Sequence, residues 1–127
     1  MTTDPRQIVA DFFDAWRSMN ADNVAAFFTD DAVYHNIPME RIVGRDAIRA
    51  TVKGWLDAMP SIDFRFKHVF VEGNIVLMER CDIVSTTRGT AELPIMAVIE
   101  LENGKIAAWR EYFDLRQMQA LNSAEHS

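Results

Sequence analysis

Cysteine is nearly absent from this chain of 127 residues, since Cys81 stands alone. A single cysteine cannot form an internal disulfide, which is typical of a reducing compartment, and we expect a cytoplasmic location. No apolar run approaches the roughly 20 residues that a membrane helix needs. The polar residues 1–6 include Pro5 and do not resemble a secretory signal. These absences argue against membrane-spanning and secreted classes of protein.

Positive charge is also scarce, because 13 lysines and arginines face 19 acidic residues, for a formal net charge of −6. An acidic surface repels phosphate, which argues against a nucleic-acid partner. No linker rich in proline, glycine and serine divides the chain. Because the length suits one hydrophobic core, we predict a single domain over residues 1–127, with a frayed tail at 122–127.

The first half of the chain has helical periodicity. Asp4 and Pro5 predict a helix start, and a buried face follows at spacings of three and four: Ile8, Phe12, Ala15 and Trp16. We predict a second helix at 22–28 and a short strand at 32–36. A third helix is expected to be capped by Asp46 and stopped by Pro60. Its buried stripe comprises Ile48, Val52, Trp55, Leu56 and Met59.

From Ile62 onward the apolar period changes to two, which is typical of strands. We predict strands from Ile62, at 75–86, at 91–101 and at 105–114, and then a helical turn or two at 115–121. Turn signals separate the strands at 73–74, 88–89 and 103–104. The fold class is therefore α+β, a curved antiparallel sheet with helices on one face and an apolar pocket between the two layers.

Strand alternation groups ionisable side chains onto the faces that we expect to line this pocket. The residues concerned are Tyr34, Asn36, Arg80, Asp82 and Glu111. In a dry pocket, desolvation and mutual repulsion raise carboxyl pKa values, while an arginine favours the charged form of its partner. Two acids can then separate into one protonated and one ionised group, as acid/base catalysis requires. The alternative is a structural ion pair between Arg80 and Asp82, with Glu111 exposed at the rim.

Several segments resemble the limonene-1,2-epoxide hydrolase (LEH) family, within the SnoaL-like and NTF2-like superfamily. They are Tyr34-His35-Asn36-Ile37-Pro38, Gly44-Arg45-Asp46-Ala47, Glu79-Arg80-Cys81-Asp82, Gly104-Lys105-Ile106, and the block from Trp109 to Arg116 (Trp-Arg-Glu-Tyr-Phe-Asp-Leu-Arg). Their order and spacing agree over roughly residues 7–120. The resemblance implies a cone-shaped sheet with helices closing its mouth, paired as a homodimer. It also implies epoxide opening by water in one step, without metal, cofactor or covalent intermediate.

The resemblance also assigns roles by position. Asp82 would protonate the epoxide oxygen, and Glu111 would deprotonate the attacking water. Tyr34 and Asn36 would hold that water, while Arg80 would orient both acids. The family has aspartate where this chain has Glu111, and the extra methylene adds roughly 1.5 Å of reach, a scale on which misplacement affects rate.

Large apolar residues are expected to line the site and bind a hydrophobic substrate, and aromatic walls favour a ring. We predict the substrate-binding set to be Trp16, Trp55, Leu56, Met59, Leu93, Ile95, Trp109 and Phe113. Ordinary core packing is the alternative for each of them.

The histidines and the cysteine are not predicted to form a metal site or to act as nucleophiles. His35 and His68 lack paired ligand spacing, so no zinc site is predicted, and Cys81 is interpreted as a small apolar filler. The outward strand faces are more apolar than a monomer normally leaves in water, which predicts a dimer packed sheet to sheet. The outward residues concerned are Cys81, Ile83, Met96, Val98 and Tyr112.

Two other functions remain open from the sequence. One is an isomerase or cyclase of the ketosteroid isomerase or polyketide cyclase kind, which moves a proton beside a carbonyl. An Arg80 paired with both acids would count against it, because such enzymes use a lone base beside neutral donors. The other is a non-catalytic binding module, whose pocket would be filled by bulky side chains.

Overall fold

A computed structural model describes residues 3–86 and 89–117. The elements follow the chain as α1 (Pro5–Arg17), α2 (Ala21–Ala25), β1 (Phe28–Asn36), β2 (Ile42–Val43), α3 (Arg45–Ala58), β3 (Ser61–Glu72), β4 (Ile75–Thr86), β5 (Gly89–Glu102) and β6 (Lys105–Tyr112). The strands form one curved, six-stranded sheet in the order β2-β1-β6-β5-β4-β3. The predicted α+β fold is confirmed, and the helices pack against one face of the sheet.

One strand pair departs from the predicted antiparallel pattern. β1 runs parallel to β6, whereas the other pairs in the sheet are antiparallel. The strands in the pairs β3-β4, β4-β5 and β5-β6 are adjacent in sequence, and a short connection between two such strands makes them antiparallel. β1 reaches β6 only after the rest of the chain has folded back, and no turn constrains that pair.

The parallel pair positions residues that lie about 75 positions apart in the sequence. Its register aligns Tyr34 with Trp109 and Asn36 with Glu111. On the other side of the sheet centre, β4 aligns Arg80 with Ile95 of β5. Five of these six side chains, all but Ile95, carry polar atoms, and all six residues are buried. The register therefore collects polar groups on the helix-covered face of the sheet.

The second helix is shorter than predicted, ending at Ala25 instead of Phe28. Asn20 caps it, since its side-chain oxygen accepts from the amides of Asp22 and Asn23. Phe28 begins β1, and the amide of Ile106 in β6 donates to the Phe27 carbonyl at 2.7 Å. Pairing with β6 therefore extends the first strand backward at the expense of the helix.

The third helix begins two residues earlier than a cap at Asp46 would allow. Gly44 is the cap, with a φ of +96° that favours glycine, and it has no side chain to make a capping bond. Asp46 lies instead in the first turn, where a carboxylate interacts well with the helix dipole. The helix ends at Ala58, and Met59 is extended ahead of Pro60, as predicted.

Other predicted strand boundaries differ by one or two residues. β5 covers 89–102, whereas the prediction was 91–101, and β6 ends at Tyr112, not at residue 114. A helical turn is present at 115–117. The rest of the predicted terminal helix, the tail at 122–127 and residue 88 of a predicted turn lie outside the described residues.

The core lies between the helices and the sheet. Phe12 and Phe13 of α1 are fully buried and meet Trp109 edge-on, at 5.0 and 6.1 Å between ring centroids. From α3, the stripe at i, i+4 and i+8 is buried: Ile48, Val52 and Leu56. In the described parts of the chain, no helix is long and apolar enough to cross a membrane.

Candidate functional site

A cavity of about 340 Å³ opens between α3 and the sheet, and its lining is mostly apolar. The lining residues are Trp16, Tyr34, Asn36, Trp55, Ala58, Met59, Ile62, Phe64, Arg80, Asp82, Val84, Leu93, Ile95, Trp109, Glu111 and Phe113. All five residues predicted to be catalytic line it, together with seven of the eight predicted to bind substrate. A volume of this size accommodates a small organic molecule.

Leu56 is the exception, and its prediction as a cavity residue was wrong. It is 7% exposed and belongs to the hydrophobic core, on the same stripe of α3 as Val52. Trp55 and Met59 lie on a neighbouring side of the helix and face the cavity. One position along a helix rotates a side chain by about 100°, so Leu56 points away from the site that Trp55 lines.

Four lining residues were missing from the predicted substrate-binding set: Ala58, Ile62, Phe64 and Val84. Alternation along β4 places Val84 on the same face as Asp82 and could have identified it. Phe64 pairs with Asp82 across β3 and β4, and this register was not evident from local sequence. Ala58 is too small to stand out in a helical pattern.

Five residues form the polar floor of the cavity: Tyr34, Asn36, Arg80, Asp82 and Glu111. Arg80 lies at its centre, with a side chain 1% exposed. Its Nε donates to Asp82 Oδ1 at 2.8 Å, and its Nη2 donates to Asp82 Oδ2 at 3.1 Å. Toward Glu111, Nη1 donates to Oε2 at 2.6 Å and Nη2 to Oε1 at 2.5 Å. One guanidinium therefore binds both carboxylates with two hydrogen bonds each. Glu111 is 4% exposed, so the alternative that it lies at the solvent rim was wrong.

Aromatic rings from α1 and β3 pack against the guanidinium. The Arg80 Cζ lies 4.8 Å from the centroid of the Phe13 ring and 5.6 Å from that of Phe64. These rings exclude water and attract the cation through their π faces. Arg80 stays charged, because Glu111 and Asp82 raise its pKa against the opposing effect of burial.

Asp82 has the pKa of an acid that can act near neutrality. Desolvation is the largest influence and raises its pKa from 3.8 to about 6. Arg80 opposes this rise through its charge and hydrogen bonds, while the neighbouring Glu111 adds to it. A single arginine neutralises only one of two buried carboxylates, so a proton on Asp82 balances the charge of the cluster.

Tyr34 and Asn36 complete the polar floor beside Glu111. The Tyr34 hydroxyl donates to Asn36 Oδ1 at 3.4 Å, and both side chains are buried. Burial raises the pKa of Tyr34 well above 10, and the charge of Glu111 raises it further, so the phenol remains a proton donor. The Tyr34 ring also stacks on Trp109 at 4.2 Å with an interplanar angle of 7°.

The raised pKa of Asp82 predicts a pH-dependent stability. The folded protein binds this proton more tightly than the unfolded chain does. The protonated Asp82 therefore adds to the free energy of unfolding fully below about pH 4, and this contribution is lost as the pH rises through about 6. We expect the contribution to approach roughly 3 kcal/mol. Urea unfolding at several pH values measures it as the difference between wild type and Asp82→Asn. Parallel stability profiles for the two proteins would contradict the prediction.

His35, His68 and Cys81 do not join the site. The His35 ring contacts the Met39 carbonyl at 3.0 Å, and His68 stacks with Phe70; none of these residues lines the cavity. Cys81 is a half-buried free thiol. Within residues 3–86 and 89–117, no group of three histidine, cysteine, aspartate or glutamate side chains is placed to hold a metal ion.

This chain is similar to known proteins in sequence and in fold. The SnoaL-like domain family matches residues 9–109. Epoxide hydrolase EphG of Mycobacterium tuberculosis is 29% identical over 107 residues, which cover 84% of this chain and 71% of that protein. The structure of an M. tuberculosis LEH-like epoxide hydrolase matches with a TM-score of 0.81 and 27% identity, over 94% of this chain and 89% of that one.

The epoxide hydrolase/cyclase-like enzyme SalBIII, which has a role in pyran ring formation in the polyether salinomycin, has the same fold at 19% identity. Its TM-score is 0.80, and the match covers 89% of this chain and 92% of that one. The predicted resemblance to LEH-like proteins is confirmed by these similarities. Because the family match spans most of its length, this chain belongs to the SnoaL-like domain family.

Proposed function

We propose that this protein is an epoxide hydrolase that adds water to a hydrophobic, ring-containing epoxide in one step. The observation that carries the proposal is Arg80, which holds Asp82 and Glu111 side by side at the floor of an apolar cavity. Similarity in sequence to M. tuberculosis EphG, and in structure to an M. tuberculosis LEH-like epoxide hydrolase, supports the same reaction. Opening an epoxide requires a proton on the leaving oxygen and an activated water at carbon, and two acids in different protonation states supply both.

Asp82 is the general acid in this mechanism. With a pKa of about 6, a useful fraction of its carboxyl group is protonated near neutral pH. As the C–O bond of the epoxide breaks, the proton passes to the oxygen, and Asp82 becomes an anion. Arg80 already donates two hydrogen bonds to this carboxyl group, so it stabilises the charge that develops there.

Glu111 is the general base. Arg80 donates to both of its oxygens, and the Trp109 indole donates a third hydrogen bond, to Oε2 at 3.0 Å. These three donors hold the carboxylate in one orientation. Glu111 takes a proton from the attacking water, and the water oxygen forms the new C–O bond. Tyr34 and Asn36 of β1 lie next to Glu111 of β6, and they hold that water.

Each turnover leaves the proton on Glu111 and the charge on Asp82. The site resets when a proton returns from one acid to the other. Nη2 of Arg80 already bridges Asp82 Oδ2 and Glu111 Oε1, so the two groups are close enough for water in the emptied cavity to relay the proton. No other group is required by this proton balance.

The walls of the cavity favour a lipophilic ring. Trp16, Trp55 and Phe113 present aromatic surface, while Met59, Leu93 and Ile95 add aliphatic surface. Burying apolar substrate surface here contributes roughly 25 cal/mol per Å². We therefore propose a cyclic or aryl-substituted epoxide as the substrate class.

The two alternatives fit the site less well. Both acids are bonded to Arg80, whereas a ketosteroid isomerase or related cyclase uses a lone base beside neutral donors. A pure binding module would fill its pocket with bulky side chains, yet the cavity reaches both Asp82 and Glu111.

Incubation with a panel of lipophilic epoxides tests the proposed function. We expect release of vicinal diols from cyclic members of the panel, measured by gas chromatography, and at least a hundredfold loss in Glu111→Gln because its amide cannot accept the proton of water. If wild type releases no diol from any member, the hydrolase proposal is wrong.

The homodimer and the cytoplasmic location remain proposals. The outward sheet face carries exposed apolar side chains, with Met96 51% and Tyr112 44% exposed, while Cys81, Ile83 and Val98 are half-buried. We propose that a second copy covers this face, and analytical ultracentrifugation measures the state of association. The cytoplasmic proposal rests on the single cysteine.

A further inference from the structure

Trp109 lines the cavity and also contacts two residues of its polar floor, Glu111 and Tyr34. Its side chain is 1% exposed, and its indole Nε1 donates to Glu111 Oε2 at 3.0 Å. Residues 109 and 111 are two positions apart on β6, so their side chains share one face of the strand. The indole ring also stacks on Tyr34 and meets the edge of Phe12 at 5.0 Å, which fixes the orientation of its N–H group.

The indole bond determines which oxygen of Glu111 is open to a further donor. Oε2 accepts from both Arg80 Nη1 and Trp109 Nε1, whereas Oε1 accepts from Arg80 Nη2. A carboxylate oxygen has two acceptor positions in its plane. The described contacts therefore occupy Oε2 and leave one position on Oε1.

We infer that Trp109 is a positioning residue that, by occupying Oε2, directs the water-activating lone pair of Glu111 to Oε1. The inference rests on the proposed function, because it concerns the base of that reaction. The three-bond side chain of glutamate makes such control useful, since it has one more rotatable bond than aspartate. Stacking on Tyr34 joins the base and a water-holding side chain into one rigid unit.

Trp109→Phe tests this role because it removes the N–H and retains an aromatic ring. We expect kcat to fall roughly 10- to 100-fold, the range for a lost hydrogen bond to a charged group, with KM changing less than about twofold. Trp16→Phe is the matched comparison: Trp16 lines the same cavity, but its Nε1 has no hydrogen-bond partner among the described residues. That variant is expected to alter KM more than kcat.

The coupling between the two side chains provides a second test. Glu111→Asp withdraws the carboxylate by roughly 1.5 Å, which is enough to lose the indole bond. Trp109→Phe should therefore cost less than about twofold in kcat when it is added to Glu111→Asp. Equal losses in both backgrounds would mean that Trp109 acts through packing alone and would overturn the inference.

An NMR experiment tests the contact without any substrate. In protein labelled with ¹⁵N-tryptophan, the indole proton of Trp109 should resonate downfield and should move upfield in Glu111→Met, more than the signals of Trp16 and Trp55. A Trp109 signal that does not move would overturn the inference. If wild type makes no diol, the proposed reaction fails, and this signal still decides whether Trp109 holds the carboxylate.

Discussion

Replacing Asp82 with asparagine is expected to lower kcat for epoxide opening by roughly 10²- to 10⁴-fold, the contribution of a positioned general acid. Asparagine has nearly the shape of aspartic acid, so the change removes the transferable proton and leaves the cavity intact. Its amide group would also meet Arg80 Nη2, which now donates to Oδ2 at 3.1 Å. Initial rates of diol formation measure the loss.

Asp63→Asn is the matched control for this variant. Asp63 lies on the exposed side of β3, where it pairs with Arg17 and does not line the cavity. The same substitution there should leave kcat unchanged. An Asp82→Asn protein that is folded by circular dichroism and retains more than about a tenth of wild-type activity would show that Asp82 is not the proton donor.

Replacing Arg80 with methionine is expected to lower the free energy of unfolding at neutral pH by about 3–5 kcal/mol, because it leaves Asp82 and Glu111 as buried acids without a cation. Both are less than 10% exposed. Burial then opposes the ionised form of each acid, and each ionised acid opposes the other. Diol formation should be lost together with the stability, since the two carboxyl groups no longer keep separate roles. Urea unfolding measures the change.

Two comparisons show whether the buried acids are the cause. Arg17→Met removes an exposed arginine that bridges Asp14 and Asp63, and such a pair contributes about 1 kcal/mol or less. Adding Asp82→Asn and Glu111→Gln to Arg80→Met removes both charges and should recover most of the lost stability. If Arg80→Met is no less stable than Arg17→Met, the guanidinium is not what holds the acids.

Much of the site follows from strand alternation, because period two determines which residues share a face. Arg80 and Asp82 are two apart on β4, and Trp109 and Glu111 are two apart on β6, so each pair was predicted to face the cavity together. The three hairpins followed from their turn residues. These relations are local, and a single sequence carries them.

The pairing between strands that are distant in sequence could not be predicted from strand alternation or from turn residues. The parallel pairing of β1 with β6 aligns Asn36 with Glu111, yet no turn or spacing in the sequence sets that register. Only resemblance to a known family placed Tyr34 and Asn36 beside the base. The error at Leu56 has a similar origin, since the rotation of α3 about its axis depends on how it packs against the sheet.

The Trp109–Glu111 bond shows a further limit. Alternation predicts that the two side chains share a face, but the contact between Nε1 and Oε2 depends on side-chain torsions set by the surrounding rings. The same holds for Arg80, whose guanidinium between Phe13 and Phe64 is oriented by packing from α1 and β3.

Isotope labelling in a single turnover tests the central claim most directly. With enzyme in excess over a cyclic epoxide in H₂¹⁸O, water activated by Glu111 should attack carbon itself, so the first diol formed should carry one ¹⁸O. Mass spectrometry of that diol gives the answer. Diol with only ¹⁶O in the first turnover would mean that a carboxylate such as Asp82 or Glu111 attacks the epoxide, and it would contradict the one-step acid/base mechanism.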